Sequence, residues 1–127
     1  MKKDFQKWHL LKSKIEEEKI APLFGEQEVW WCSLGANVGV EADGRNESFE
    51  RPVLIFRKFN RQMFWGLPIT TKKRVGKFYF TFILGGAEQT VVLSQVKTLS
   101  GKRLLRRLGK LSDNQFGLLK KAFTQLA

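Results

Sequence analysis

Two consecutive tryptophans, Trp30 and Trp31, constrain this chain of 127 residues more than any other feature. They fall within residues 28–34, whose alternating character reads as a β-strand, and on a strand successive side chains leave on opposite faces. One indole therefore belongs to a core. The other needs a second cover: an N-terminal helix, a second subunit or a stacked base.

The next segments extend this sheet. Residues 51–57 carry the continuous apolar run Val53, Leu54, Ile55 and Phe56, which predicts a strand buried on both faces, with Pro52 tolerated near its start. Phe59, Asn60 and Arg61 form a turn into a third strand at 62–68. Residues 77–84 alternate Phe78, Phe80 and Phe82 against Tyr79, Thr81 and Ile83, and Gly85-Gly86 turns this strand into another at 90–96. Ser100 is expected to cap a short helix carrying Leu104, Leu105 and Leu108, with Lys102, Arg103, Arg106 and Arg107 on its wetter side. Ser112 with Gln115 is a capping box opening a final helix whose apolar face is Phe116, Leu119, Phe123 and Leu126. At the other end Asp4 caps an amphipathic helix with Phe5, Trp8, Leu11 and Ile15 in line, ending before Pro22. That stripe either packs on the main body or docks another protein. The predicted fold is α+β: a small, strongly curved antiparallel barrel or sheet (residues 25–127) with helices at one end, preceded by a helical extension (residues 1–24).

Composition narrows what such a domain can do. Cys32 is the only cysteine and His9 the only histidine, so an internal disulfide, a zinc site built on paired cysteines and a two-histidine acid/base pair are all excluded. A reducing, cytoplasmic setting is expected. No apolar run approaches the roughly 20 residues of a membrane span, and the start lacks the apolar block of a signal peptide. Charge is unevenly placed: residues 1–50 hold 7 Lys/Arg against 10 Asp/Glu, while residues 51–127 hold 16 against 2. A polyanionic partner is implied, nucleic acid first and an acidic protein second.

The residues that could carry chemistry cluster at strand ends. Residues 35–50 form a long polar loop with Gly35, Asn37, Gly39, Asp43, Gly44 and Asn46, and loops of this length in a compact domain are usually functional or disordered. Arg51 opens the following strand, where its planar, permanently charged guanidinium suits two phosphate oxygens or, alternatively, an ion pair with Glu41 or Glu50. Thr70 or Thr71, where the third strand runs out, can hold a phosphate or a ribose hydroxyl, and Lys72, Lys73 and Arg74 follow as a cationic exit. No phosphate loop, paired His/Cys metal spacing or nucleophile elbow is present, so no metal or cofactor is expected. RNA offers a route that needs neither, because its 2′-hydroxyl can attack the adjacent phosphorus and leave a 2′,3′-cyclic phosphate and a 5′-hydroxyl. An unassisted threonine is a poor base for that step, which leaves Glu41 and Glu50 as candidate acid/base groups.

Four fragments in order, Trp30-Trp31, Gly39-Val40-Glu41, Arg51-Pro52-Val53 and Pro68-Ile69-Thr70-Thr71, resemble the PemK/MazF family of toxin endoribonucleases, over about residues 26–111. The resemblance implies an SH3-like barrel, a homodimer, metal-independent cutting of single-stranded RNA at short sequences, and silencing by an acidic antitoxin whose complex with the toxin binds DNA. It carries catalytic roles onto Arg51 and Thr70. The residues expected to contact RNA are Trp31, Asn37, Thr71, Lys72, Lys73, Arg74 and Gln95. Two departures stand out. The stretch from Glu41 to Arg51 is longer than in many members, and Ser94 precedes Gln95 where some members carry an acid. A noncatalytic module of the same barrel type, binding RNA or poisoning a protein target as the similar-looking CcdB gyrase toxins do, is the competing reading.

Overall fold

The computed structural model describes residues 20–34 and 50–126. Among the described residues seven strands and one α-helix follow each other: β1 Glu28–Ser33, β2 Glu50–Lys58, β3 Met63–Thr70, β4 Tyr79–Leu84, β5 Ala87–Val92, β6 Lys97–Ser100, β7 Leu104–Lys110 and α1 Asp113–Thr124. Local chemistry explains the junctions. The Asn60 carboxamide oxygen accepts from the backbone N–H groups of Gln62 and Met63, closing the turn between β2 and β3. Gly85 and Gly86 both have positive φ, as a two-residue hairpin turn of the right twist requires. At the start of α1, Ser112 Oγ accepts from Gln115 N at 3.1 Å, the expected N-cap.

All pairings are antiparallel, in the order β4-β5-β3-β2-β1-β7, with β6 also on β3. β3 changes partner partway: Met63 to Gly66 pair with β6, whereas Ile69 and Thr70 pair with β5. The sheet is thereby curled into a half-barrel, with β4 and β7 as its two ends.

Each face carries its own core. On one side Val29, Leu54, Leu67, Ile69, Phe82, Val91 and Leu93 are buried with Leu111, Phe116 and Leu119, and Phe56 meets the rings of Phe116 and Phe123 on α1. On the other, Trp30, Cys32, Val53, Ile55, Phe64 and Leu104 pack together with Phe24. Burial of Val53, Leu54 and Ile55 in succession is the two-sided burial expected of β2. Of the two tryptophans, Trp30 enters the second core with its indole N–H donating to Glu28 Oε1. Trp31, on the opposite face, lies half-buried beneath the Arg106 guanidinium, 5.2 Å from the ring centre.

Several sequence expectations need correction. Ser100 caps only a 3-10 turn, Gly101–Arg103, and the expected helix beyond it is the strand β7, so the domain ends in one helix. β7 supplies the second pairing edge of β1, whose backbone groups would otherwise lack a ladder. Its helix-like leucine spacing comes from two bulges: the register passes from Gly109 to Arg107 and from Arg106 to Leu104, leaving Leu108 and Leu105 outside the ladder and 41% and 38% exposed. β5 ends at Val92, because residues 93–96 step from β5 to β6 along the same edge of β3. The sheet is a curled half-barrel and not a closed barrel. The N-terminal helix expected between Asp4 and Pro22 falls on residues outside the described ones as far as residue 19; residues 20–24 are described and carry no helix.

Gly66 sits where side chains of the second core pack directly over the backbone of β3. A Cβ there would stand 2.6 Å from Val53 Cγ1 and 3.1 Å from both Leu99 and Phe64. Gly66→Ala is expected to destabilise the fold by about 1–3 kcal/mol through overpacking, read as a lower urea midpoint at unchanged m-value. An unchanged midpoint would show that Val53 can retreat without cost.

Candidate active site

The register assembles one rung of side chains across the curled sheet. Cys32 pairs with Arg51 on one side and Leu104 on the other. Thr70 pairs with Thr90, which in turn pairs with Thr81. The β2–β3 ladder joins Val53 to Pro68, and the same register carried two residues further sets Arg51 level with Thr70. Directly paired residues project on one face, and neighbouring strands lie about 4.8 Å apart. Arg51 and Thr70 therefore stand on the same face, at the end of the second core, beyond Val53 and level with Cys32.

The environments along this rung differ in a useful way. Cys32 is buried and Thr90 is 2% exposed, while Thr70 is half-buried and Arg51 and Thr81 are exposed. Thr90 Oγ1 and Thr81 Oγ1 are hydrogen-bonded at 3.2 Å, which satisfies the buried hydroxyl. Thr70 Oγ1 accepts from Lys72 N at 3.1 Å. That bond uses a lone pair and orients the side chain, leaving the Thr70 hydroxyl proton to be donated elsewhere. Arg51 has no carboxylate in ion-pair distance among the described residues. A guanidinium beside a hydroxyl donor is a site for a tetrahedral oxyanion such as a phosphodiester.

Other sequence candidates fall elsewhere. Glu50 precedes Arg51 on β2, so strand alternation turns it to the opposite face, where its carboxylate lies 3.8 Å from Arg106. Trp31 shares that face, since it stands opposite Pro52 and under Arg106. Glu50 and Trp31 are thus brought together with Arg106, and not with Arg51 and Thr70. Thr71, Lys72, Lys73 and Arg74 follow β3 directly and are all exposed. Gln95 is exposed in the link between β5 and β6, its N–H donating to the Val92 carbonyl. Asn37 and Glu41 lie outside the described residues. Among the described residues no group of three or more His, Cys, Asp or Glu side chains could hold a metal ion, and no helix is long and apolar enough to cross a membrane.

Three residues of this region were not among the site residues expected from the sequence. Arg106 was hidden by the helical spacing of its neighbours. Thr81 and Thr90 are equidistant from the Gly85-Gly86 turn, so a two-residue hairpin alone pairs them.

A profile of the PemK-like, MazF-like toxins of type II toxin-antitoxin systems matches residues 26–127. Solved structures of similar fold include an endoribonuclease from Mycobacterial species, at 17% identity and TM-score 0.60 over 85% of this chain and 92% of that one. Another, an endoribonuclease in complex with its cognate antitoxin from Mycobacterial species, is 19% identical with TM-score 0.62, covering 83% of this chain and 93% of that one. MazF from Deinococcus radiodurans is 13% identical with TM-score 0.60, covering 83% and 96%. At these identities the likeness is one of fold. No curated protein matches the chain.

Proposed function

The chain belongs to the PemK-like, MazF-like toxin family of type II toxin-antitoxin systems, and on that premise we propose that it is a metal-independent endoribonuclease acting on single-stranded RNA. What supports this reading is the β2–β3 register, which, carried two residues beyond the Val53–Pro68 pair, brings Arg51 level with Thr70 on one face, together with the bond from Lys72 N that orients Thr70. Arg51 holds two nonbridging oxygens of the scissile phosphate and stabilises the charge that develops on them. Thr70 donates its hydroxyl to the same phosphate. The 2′-hydroxyl of the RNA is the nucleophile, and the products end in a 2′,3′-cyclic phosphate and a 5′-hydroxyl. Lys72, Lys73 and Arg74 extend the cationic track along the strand backbone.

The wider assembly follows the same logic. The protein works as a homodimer of SH3-like units and is silenced by an acidic antitoxin drawn to residues 51–127, which hold 16 cations against two carboxylates. Support for such a partner comes from a fold neighbour in complex with its cognate antitoxin and from a MazE-MazF structure from Deinococcus radiodurans.

Incubation of the protein with a long single-stranded RNA in EDTA is expected to give cuts at a short recurring sequence. Arg51→Ala and Thr70→Ala should each lower the rate by about 10² to 10³ while leaving the thermal midpoint in place. Cleavage retained by both variants would remove the site assignment. Replacing the 2′-hydroxyl at the cut by hydrogen should stop the reaction; cutting of that substrate would refute internal attack. Alanine at Lys72, Lys73 and Arg74 together should reduce the slope of log K against log salt by up to about 2 for single-stranded RNA. An unchanged slope would assign those cations to solvent.

A further inference from the structure

Internal attack needs a group that accepts the 2′-hydroxyl proton, and neither member of the central pair can be that group. A guanidinium keeps its proton, and a threonine hydroxyl is too weak a base. Glu50 faces the other way and lies beside Arg106.

Residues 51–127 contain only two carboxylates, Glu88 and Asp113. Asp113 is engaged at the start of α1, where its Oδ1 accepts from Gln27 Nε2 at 2.9 Å. Glu88 lies on β5, two residues before Thr90, and strand alternation puts it on the face that Thr90 shares with Thr70 and Arg51. Because Thr90 is the direct partner of Thr70, Glu88 is its diagonal neighbour across the β3–β5 pair, a separation of about 7–8 Å that long side chains can span. Glu88 is exposed and has no cation in ion-pair distance among the described residues, although the surrounding half of the chain is densely basic. On a surface meant to attract phosphates, an unneutralised carboxylate weakens binding and is retained for what it does to the bound substrate.

We propose that Glu88 is the general base of the reaction, an inference that rests on the ribonuclease reading above. Its carboxylate removes the proton from the 2′-oxygen as the O2′–P bond forms and the P–O5′ bond breaks. Glu88 returns that proton to solvent, and solvent protonates the departing 5′-oxygen. No other reactant is consumed.

The test is Glu88→Gln in the full chain, assayed beside the parent and Arg51→Ala on one RNA. Glu88→Gln is expected to lower kcat by about 10² to 10⁴. KM and affinity for an RNA with a 2′-deoxy nucleotide at the cut should stay level or tighten, and the thermal midpoint should not move. Glu88→Asp should recover part of the rate. A substrate whose 5′-bridging oxygen is sulfur, a leaving group that needs no proton, should leave the Glu88→Gln deficit in place, because a base acts on the other oxygen. If that substrate abolishes the deficit, Glu88 is the general acid and the proposal is overturned. If the parent cleaves, Arg51→Ala does not and Glu88→Gln matches the parent, the base lies elsewhere while the ribonuclease reading stands. A parent that leaves RNA intact removes both.

Discussion

β3 has two edges and three partners, and the rest of the molecule depends on how it divides them. One edge is held by β2, while the other belongs to β6 for the first half of the strand and to β5 for the last two residues. The change of partner curls the sheet, since β5 brings β4 with it and β6 leads on to β7. It also makes Thr70 a junction residue. Its level relative to Arg51 is set by the β2–β3 ladder, and its level relative to Thr90 and Glu88 by the short β3–β5 pairing. Gly66 leaves the space that the side chains of Val53, Leu99 and Phe64 fill beside this ladder, because a side chain there would meet Val53.

Covering both faces of the sheet separates two sets of polar residues that are neighbours in sequence. Arg51 continues the face of Val53 and Cys32, whereas Glu50 continues the face of Trp31 and joins Arg106. An ion pair within the Glu50-Arg51 dipeptide would require both side chains to leave the strand on one side, which the pleat forbids. The structure therefore provides a carboxylate partner for Arg106 and leaves Arg51 without one among the described residues. The ion pair between Glu50 and Arg106 is solvent-exposed, so its contribution to stability is small.

Much of this was legible in the residues. The final helix follows from Ser112, Gln115 and the spacing of Phe116, Leu119 and Phe123; the hairpin follows from Gly85-Gly86; the two-sided burial of β2 follows from Val53-Leu54-Ile55. β7 was misread for a physical reason. Each bulge inserts a residue and breaks the period of two, and two bulges in seven residues turned a strand into the imitation of a helical leucine stripe. Arg51 and Thr70 stand out by position at strand ends, but the presence of Thr90 and Glu88 on their face depends on a non-local register between β3 and β5. Only two residue pairs define that register, and no local pattern encodes it. The side on which Glu50 lies was readable from simple alternation with Arg51.

The hydroxyl of Thr70 ties the rigid sheet to the mobile chemistry proposed for it. One lone pair accepts from Lys72 N and so fixes both the side-chain rotamer and the direction in which the cationic residues 72–74 leave the strand. The proton of the same hydroxyl remains for a substrate oxygen. Substitution of Thr70 by valine would keep the strand but lose both functions, and substitution by serine would keep both at the cost of a looser rotamer, because the β-branch restricts χ1. A donor whose orientation is set before substrate arrives costs no reorganisation during the reaction, the condition under which a hydrogen bond to a developing charge contributes most. The cationic exit and the proposed phosphate donor are in this sense one local structure, built from the last residue of β3 and the four that follow it.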